Sequence, residues 1–572
     1  MAALQQNNEL GGYHSAFCST WTHMPSTPHR DSLPPPPKSW KQMVKHPYAN
    51  EFKKAAEKEY RGLESKGTFT FIAKERVTQK PLPLMWTFLY KFDENGYLSK
   101  FKARLVARGD LQYTEEDTYA ATLTAQVFRA VTAIAAAFDL ETKQYDAVNA
   151  FPNANLPQPS PCECAEGYEQ PGFLLWVAKA LYGLKTSPLL WYKNFTKALE
   201  DMGLKLVPDT NCLYMNEWLI LIFYVDDIVI FYDGSQQIKM DEFERKLTDR
   251  YELRSLGEMQ YFLGIRVLRN RPERKLWLVQ DSYIEKLGER FNITVNNPPR
   301  TPLSGDLISY NGIATPQQIY GYQQKVGSLN FAAVITRPDI SKAISKLSEF
   351  LQNPSLEHIG AADRALQYLL GTRYLAIQYN GNQDRDQQIF SSSSDSAFAD
   401  NPTTRKSSYG FCFMLYGGPI HYKAIKGTTV TTSSTEAELL AISQTAKHFI
   451  WWKRFFDNLQ FDIQQHPVIA CDNQQTIRIL TKETPKLQTA LKHVDIHQSW
   501  LRQETQAGRI TVHWVPTAEM IADGFTKILP PQRHQEFVRQ LNLVDINGII
   551  KQHRNRVQEK PTSSPGRVCE AN

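Results

Sequence analysis

Two adjacent acids, Asp226 and Asp227, interrupt an otherwise apolar run that extends from residue 218 to residue 231. The residues on both sides are rich in Ile, Val, Phe and Tyr, a composition that predicts two buried strands joined by a tight turn. The acids would then lie at one end of a sheet, where two close carboxylates either share a proton or bind cations. The alternative is a solvated Asp-Asp turn, which is common in hairpins.

A third acid, Asp146, ends a short strand-like stretch and precedes an aromatic residue, Phe151, by five positions. Together with the turn Tyr224-Val-Asp-Asp227, this acid resembles the palm of a reverse transcriptase. The resemblance implies that Asp146, Asp226 and Asp227 are catalytic acids that hold two Mg²⁺ ions, with Mn²⁺ as a substitute. Hard oxygen ligands suit Mg²⁺, and two ions can stabilise the attacking and the leaving oxygen of a nucleotidyl transfer.

A series of further motifs narrows the resemblance to copia-type LTR retrotransposons. These motifs follow the family's order between about Trp40 and about Leu541. They are Lys102–Gly109 after Asn95-Gly96, Ala180–Lys185 with Pro188 and Trp191-Tyr192, Gly257–Ile265, Val326–Leu329 and Thr336–Ile340. The chain therefore resembles the C-terminal part of a Pol polyprotein, which carries a reverse transcriptase with ribonuclease H. The sequence contains no Asp-Thr/Ser-Gly protease triplet and no His-His-Cys-Cys integrase pattern.

The resemblance also assigns residues to the incoming nucleotide. Lys102 and Arg104 occupy the fingers segment that closes over the triphosphate, and a basic pair suits such an anion. Phe151 stands at the position of the steric gate, where a bulky ring collides with a ribose 2′-hydroxyl and favours deoxynucleotides. The alternatives are a solvated strand face for the two basic residues and an ordinary core aromatic for Phe151.

The sequence departs from the family at three places close to these residues. Thr186–Leu189 replaces the family's Gln-Ala-Pro-Arg, Gly109-Asp110 replaces Gly-Phe, and Phe151–Ala154 replaces Phe-Leu-Asn-Gly. The first change removes an amide and a guanidinium near the nucleotide, and the third brings a proline into the loop. These changes leave a second interpretation open, a catalytically decayed remnant that only binds nucleic acid.

Four acids in the last third of the chain form a second candidate site. Asp395 follows a serine run, Glu436 opens a helix after a Ser-Ser-Thr cap, Asp472 ends an apolar stretch, and Asp523 precedes Gly-Phe-Thr-Lys. This order resembles the ribonuclease H attached to copia-type polymerases. The resemblance implies that these four residues are catalytic and hold two further Mg²⁺ ions, which activate water against an RNA phosphodiester.

The same helix carries a second glutamate, Glu438, and either residue could be the ligand. We choose Glu436 because it directly follows the cap and because the resemblance matches it to the family's catalytic glutamate. We expect Glu438, two positions on, to face another side of the helix. No histidine lies between residues 516 and 523, where some ribonucleases H carry one. His493 and His513 are interpreted as structural histidines.

Composition is typical of a soluble, globular, multidomain protein. The 572 residues are 42% hydrophobic and 22% charged, and the net charge is only +6, so nucleic acid would be bound through local basic clusters. Segments 100–108 and 266–275 are such clusters, with solvated loops as the alternative.

The seven cysteines include no Cys-x-x-Cys, so neither a zinc site nor a disulfide framework is indicated. No apolar run of membrane-spanning length and no signal peptide is visible, which favours an intracellular protein.

We expect an α+β multidomain chain in which a right-hand polymerase with fingers, palm and thumb/connection precedes an α/β ribonuclease H-like domain. The expected boundaries are a disordered leader over 1–37, fingers and palm over 38–270, thumb and connection over 271–387, the ribonuclease H-like domain over 388–528 and a C-terminal tail over 529–572. The leader and the tail are assigned on their polar and proline-rich composition.

The sequence therefore predicts an RNA-directed DNA polymerase, a nucleotidyltransferase that copies RNA into DNA and removes the template with its ribonuclease H. The expected partners are an RNA template, a DNA or tRNA primer, dNTPs and the RNA:DNA hybrid. The element's integrase and capsid protein are further expected partners, and no association with a membrane is expected. Hybrid recognition by shape, phosphates and 2′-hydroxyls predicts little sequence preference. The expected location is the cytoplasm, in virus-like particles, and also the nucleus.

Overall fold

The structure is a computed structural model that describes residues 28–92, 96–115, 117–382, 388–463, 468–481 and 492–552, with the backbone alone for 492–495. Most of the expected leader, Asn95, the side chain of His493 and the end of the expected tail lie outside the described residues. Among the helices in these ranges, none is both long enough and apolar enough to cross a membrane. The five cysteines in the same ranges are free thiols.

The described residues form a mixed α/β, multidomain fold. In chain order the strands are β1 (Phe69–Ala73), β2 (Leu84–Phe92), β3 (Leu98–Ala107), β4 (Glu141–Ala147), β5 (Asn155–Cys162), β6 (Phe173–Lys179), β7 (Lys205–Leu206), β8 (Leu213–Met215), β9 (Leu219–Tyr224), β10 (Asp227–Tyr232), β11 (Leu253–Gly257), β12 (Tyr261–Phe262), β13 (Ile265–Asn270), β14 (Lys275–Val279), β15 (Leu375–Asn380), β16 (Phe390–Ala397), β17 (Ser408–Leu415), β18 (Gly418–Lys426), β19 (Val468–Cys471), β20 (Thr511–Trp514) and β21 (Leu543–Asp545).

Helices precede the first strand and lie between several of the later ones. In chain order they are α1 (Trp40–Val44), α2 (Ala49–Ser65), α3 (Ala125–Ala137), α4 (Ser187–Asp201), α5 (Gln237–Arg250), α6 (Asp281–Phe291), α7 (Pro316–Ile335), α8 (Ser341–Ser348), α9 (Leu356–Gly371), α10 (Ser434–Asn458), α11 (Gln474–Thr481), α12 (Lys492–Gln506), α13 (Asp523–Thr526) and α14 (Pro531–Gln540).

The chain divides into two compact units, each built from several segments. The first contains the described residues up to Ala121, Ala147–Gly203 and Leu247–Leu253. The second contains Thr122–Asp146, Leu204–Lys246 and the described residues from Arg254 onward. The segment expected to form fingers and palm, 38–270, therefore contributes to both units.

The first unit packs a helix against two small sheets. β2 and β3 form an antiparallel pair, and a second sheet has the order β1-β6-β5. The helix α2 buries Phe52, Ala56, Tyr60 and Leu63, which recur every three or four residues and so form one apolar face. This face shares one hydrophobic core with residues of both sheets, including Trp86.

The second unit contains three larger sheets. Their strand orders are β11-β4-β10-β9-β8-β7, β12-β13-β14-β15-β21 and β18-β17-β16-β19-β20. In the last sheet β16, β17 and β18 are antiparallel, whereas β16, β19 and β20 run parallel. β9 and β10 are buried over most of their length, which explains why their sequences are continuous apolar runs.

A buried ion pair joins the helices of the second unit. Arg337 and Asp339 have fully buried side chains, and they form two hydrogen bonds of 2.9 and 2.7 Å. The guanidinium also donates to the carbonyl and the hydroxyl of Thr372. The Tyr368 hydroxyl donates to Asp339 at 2.7 Å and lies 3.0 Å from Nε2 of His534 on α14. The family motif at 336–340 is therefore part of the core.

Part of the expected C-terminal tail is folded. It contains α14 and β21, and β21 pairs antiparallel with β15 through Leu375 opposite Asp545 and Ile377 opposite Leu543. Phe537 and Leu543 are buried. This segment therefore forms one edge of the second of the three sheets.

Candidate active sites

The first acid pair lies in the turn between β9 and β10. Tyr224 and Asp227 are register partners, so Val225 and Asp226 form the two-residue turn between them. Val225 has a φ of 57°, a conformation that is costly for a β-branched residue and that persists only where the surrounding structure imposes it. The predicted strand-turn-strand arrangement is present, and both acids are half-buried.

Asp146 lies on the neighbouring strand β4, directly opposite Asp227 in the antiparallel register. Opposite residues of such a pair project from the same face of the sheet, with Cβ atoms about 5 Å apart. The structure thus brings the three predicted polymerase acids to one end of one sheet. Arg254 on β11, which lies beside β4, places a guanidinium nitrogen 3.0 Å from Asp146 Oδ2. Sequence analysis did not identify this arginine, because only the sheet order brings it next to the acid.

The two basic residues assigned to the triphosphate lie on β3. Both Lys102 and Arg104 are half-buried. Glu59 of α2 lies near them: burial raises the pKa of its carboxyl, and the two basic side chains oppose the rise. The Arg104 guanidinium also lies 4.8 Å from the centre of the Tyr182 ring. The pair therefore has charged and aromatic neighbours and does not form a fully solvated strand face.

Phe151, the residue assigned to the steric gate, begins the short 3-10 turn Phe151–Asn153 and is 8% exposed. Its ring centre lies 4.6 Å from that of Tyr182, with an interplanar angle of 61°. Tyr182 thus contacts both Phe151 and Arg104, two of the three residues assigned to the nucleotide. Sequence analysis gave this tyrosine no role because an uncharged residue inside a family motif carries no chemical signal of its own.

The residues that depart from the family pattern fit the local backbone. The turn that contains Pro152 closes with a hydrogen bond of 2.9 Å from the Ala154 N–H to the Phe151 carbonyl. The buried Ser187 hydroxyl donates to the Leu181 carbonyl at 2.7 Å and accepts from the Leu181 N–H at 3.0 Å. Both loops therefore keep an ordered, hydrogen-bonded geometry despite the changed residues.

Two glycines of the same region allow the backbone to pack closely. A Cβ on Gly109 would overlap the carbonyl of Gly183, and a Cβ on Gly183 would overlap the carbonyl of Ala107. Gly183 also has a φ of 92°, which disfavours any other residue. The motifs at 102–109 and 180–185 are thus held backbone against backbone.

The second candidate site lies at the end of the mixed sheet in the second unit. Asp395 is on β16 and Asp472 directly follows β19, and the parallel pairing of Ser393 with Ala470 places the two acids at the same level. Asp523 begins α13. Carboxylate oxygens of the three acids lie within 4.8 Å of one another. Across the described ranges no other group of three potential ligands is so compact, the polymerase acids included.

Asp395 is the most deeply buried acid of this cluster, with 1% of its surface exposed. Burial raises its pKa, and the charges of Asp523 and Asp472 raise it further. Lys527 and the hydroxyl of Thr526, which donates to Asp395 Oδ2, oppose the rise. Lys527 Nζ lies 2.6 Å from Asp523 Oδ1 and 3.7 Å from Asp395 Oδ2.

Sequence analysis chose Glu436 of α10, whereas the structure places Glu438 in contact with the strand that carries Asp395. Glu438 is 5% exposed, and its Oε1 accepts hydrogen bonds from the N–H and the hydroxyl of Ser396 at 3.2 and 2.8 Å. Burial raises the pKa of Glu438, and the charge of Asp395 raises it further. Glu436 instead accepts from the N–H and the hydroxyl of Thr432 at 2.8 and 2.6 Å. Two positions differ by about 200° around a helix, and here the side that carries Glu438 faces β16.

The acids of the second cluster fit divalent metal ions. Asp395, Asp472 and Asp523, together with Glu438, offer carboxylate oxygens, the hard ligands that Mg²⁺ and Mn²⁺ prefer. The Oε2 atom of Glu438 is buried and has no hydrogen-bond partner among the described residues. Leaving a buried oxygen unsatisfied is costly, and a bound cation would satisfy it.

Comparisons with known proteins cover most of the chain. Residues 67–305 match the family model described as reverse transcriptase (RNA-dependent DNA polymerase). The Retrovirus-related Pol polyprotein from transposon TNT 1-94 of Nicotiana tabacum is 32% identical over 517 residues, which are 87% of this chain and 38% of that protein. The corresponding polyprotein from transposon RE1 of Arabidopsis thaliana is 30% identical over 477 residues, 81% of this chain and 32% of that protein.

A shorter relative is matched almost completely. A transposon Ty5-1 protein of Saccharomyces cerevisiae is 29% identical over 311 residues, which are 52% of this chain and 98% of that protein. In contrast, the chain spans only about a third of the length of the two plant polyproteins.

Proposed function

Because the chain belongs to the reverse transcriptases of copia-type retrotransposons, we propose that it copies RNA into DNA by two-metal nucleotidyl transfer at Asp146, Asp226 and Asp227. The observation that carries this proposal is the register that sets Asp146 opposite Asp227 beside the hairpin turn. Bound Mg²⁺ would stabilise the charge on the attacking and leaving oxygens. The contribution of the chain is to hold three carboxylates at the end of a buried sheet, so that little reorganisation accompanies metal binding.

For the incoming nucleotide we propose Lys102, Arg104 and Phe151. Lys102 and Arg104 supply positive charge for the triphosphate, and the planar guanidinium can bind phosphate oxygens through two hydrogen bonds. Phe151 would exclude a ribose 2′-hydroxyl. Its contact with Tyr182 supports this role, because a gate discriminates only if the ring is fixed in place.

For the second cluster we propose ribonuclease H activity on the RNA strand of an RNA:DNA hybrid, with Glu438 in place of Glu436. The support is an arrangement of Asp395, Asp472 and Asp523 in which the ligand oxygens lie close together at the end of one sheet. The buried oxygen of Glu438 that has no hydrogen-bond partner among the described residues would supply a fourth ligand. Removal of the template after copying would then take place in the same chain as synthesis.

The alternative is a remnant that keeps the fold and binds nucleic acid without turnover. The ordered loops at Pro152 and Ser187 argue against it, because the departures from the family pattern leave the local hydrogen bonds intact. Metal dependence separates the two functions: an enzyme needs Mg²⁺ or Mn²⁺ for turnover, whereas a remnant should bind a hybrid without either ion.

Primer extension tests the main proposal. An RNA template with a DNA primer, dNTPs and Mg²⁺ is incubated with the wild-type chain or with Asp226→Asn. Extension by the wild type alone supports the polymerase and its acid site. If neither protein extends the primer although both are folded and bind the hybrid, the remnant is the better description.

A further inference from the structure

Two acids of the second cluster share a lysine from their own segment of the chain. Lys527 lies 2.6 Å from an oxygen of Asp523 and 3.7 Å from an oxygen of Asp395. It directly follows the single helical turn that Asp523 begins, and its N–H donates to the Asp523 carbonyl. The contact is therefore a consequence of local geometry and does not depend on a long loop.

Lys527 reaches the cluster from the solvent side. The side chains of Asp395 and Asp523 are only 2% and 7% exposed, whereas that of Lys527 is 40% exposed. Its long, flexible stem can therefore withdraw the ammonium group by a rotamer change, without any rearrangement of the core.

A second basic residue near the cluster is placed differently. Arg533 lies 3.6 Å from Asp523 Oδ2, and it also donates to the backbone carbonyls of Thr517 and Ala518. The guanidinium is thus held by backbone groups outside the cluster. Of these two basic residues, Lys527 is the one that bridges two of the acids.

We propose that Lys527 is a resident counter-ion of this cluster and that a divalent cation must displace it in order to bind. The inference rests on the proposed metal-dependent function of the same site. An ammonium group and a metal ion would compete for Asp395 Oδ2 and Asp523 Oδ1, because two cations on one carboxylate repel each other strongly where water is excluded. Lys527 thereby neutralises part of the buried charge in the metal-free chain and raises the metal concentration that the cluster needs.

Metal binding can be measured without reference to activity. In the full chain, Asp146→Asn, Asp226→Asn and Asp227→Asn together remove the acids of the first site, so that Mn²⁺ titration calorimetry reports the second cluster. In this parent, Lys527→Met removes the charge and keeps much of the side-chain length. We expect this variant to bind Mn²⁺ roughly tenfold more tightly than the parent, because the competing charge is gone.

Two further variants test whether the charge of Lys527 itself competes with Mn²⁺, or whether removing any nearby basic residue raises the Mn²⁺ affinity. Lys527→Arg keeps the charge and should bind Mn²⁺ nearly as the parent does, and Arg533→Met should change the affinity much less than Lys527→Met. Equal or weaker Mn²⁺ binding by Lys527→Met, or an equal gain in Arg533→Met, would overturn the inference.

Thermal unfolding provides a second test of the inference, which applies even if Lys527→Met is less stable than the parent. Lys527→Met should melt at a lower temperature than the parent without metal, and saturating Mn²⁺ should abolish the difference. If Mn²⁺ leaves the lower melting temperature of Lys527→Met unchanged, Lys527 is not a counter-ion of the cluster.

Hybrid cleavage is assayed separately. Tighter Mn²⁺ binding by Lys527→Met, without any cleavage by the otherwise wild-type chain, would support the role of Lys527 and refute ribonuclease H activity.

Discussion

Asp146 and Asp227 occupy opposite positions on neighbouring antiparallel strands, and this pairing defines the first acid site. A slip of one residue would turn every side chain of β10 to the other face of the sheet and would separate the two carboxylates. The apolar residues of β10 prevent such a slip because they are buried over most of its length. The acids are therefore positioned by the packing of the strand that carries one of them.

We predict that Asp227→Asn reduces primer extension about a thousandfold, since the proposed function makes Asp227 a metal ligand whose loss would remove several kcal/mol of transition-state stabilisation. Single-turnover extension on an RNA template measures the effect. Asp233→Asn is the matched control, because Asp233 follows the other end of β10 and accepts a hydrogen bond from the Ser235 N–H, as asparagine can. A comparable loss of primer extension in Asp233→Asn would indicate that the loss in Asp227→Asn comes from misfolding.

We predict that Phe151→Ala lowers the discrimination between dGTP and GTP by about tenfold to about a hundredfold, because the variant lacks the ring that we propose as the gate against the 2′-hydroxyl. Tyr182→Leu should lower it less, since Phe151 remains but loses its aromatic neighbour. The ratio of kcat/KM values for the two nucleotides is the measurement. Phe151→Tyr and Tyr182→Phe keep the rings and should keep the ratio.

The two glutamates of α10 provide a matched pair. Glu438→Gln should abolish cleavage of an RNA:DNA hybrid, because it removes a carboxylate from the acid cluster. Glu436→Gln should retain most of the cleavage but lower the free energy of unfolding by about 1 kcal/mol, since it weakens hydrogen bonds at the helix cap. Cleavage kinetics and urea unfolding are measured on both variants. The reverse pattern would restore Glu436 as the ligand.

The buried acids predict a pH dependence of stability. Burial raises the pKa of Asp395 and Glu438 above their ordinary values of 3.8 and 4.5. The folded chain then holds protons more tightly than the unfolded chain, so the metal-free protein should lose stability as the pH rises from about 5 to about 8. Stabilisation by Mg²⁺ should grow over the same interval, because the ion replaces the protons.

Thermal unfolding with and without Mg²⁺ at several pH values measures both trends. The double variant Asp395→Asn with Glu438→Gln should show a flatter pH dependence and little gain from Mg²⁺. If the slope of the double variant equals that of the wild type, these two acids are not its cause.

The buried ion pair predicts a large effect at residues that belong to neither acid cluster. Asp339→Asn leaves Arg337 buried without its counter-charge and should cost about 3 to about 5 kcal/mol in the free energy of unfolding. Glu536→Gln on α14 is the control, because its salt bridge with Arg539 is exposed and should contribute little. Urea unfolding of both variants tests the difference, and similar curves for the two would contradict it.

The sequence predicted the hairpin turn at Asp226 and Asp227, because the apolar strands on both sides are buried and the acids are left at the turn. The resemblance to ribonuclease H pointed to Asp395, Asp472 and Asp523, whose carboxylate oxygens lie close together, and their catalytic role stays a prediction. It pointed to Glu436, whereas Glu438 is the glutamate that contacts β16, because a capping motif fixes where a helix begins but not which side of the helix faces the sheet. Arg254 and Lys527 were missed because their importance depends on the acids beside them.

The short strand β21 covers one edge of a sheet and so affects the tendency of the molecule to aggregate. It covers β15, whose own residues include Ile377 and Tyr379, both fully buried. A chain cut after residue 528 would leave this apolar strand as a free sheet edge, and such edges recruit other molecules into intermolecular β-pairing. The strand β21 therefore protects the molecule against aggregation, although it lies outside both acid clusters.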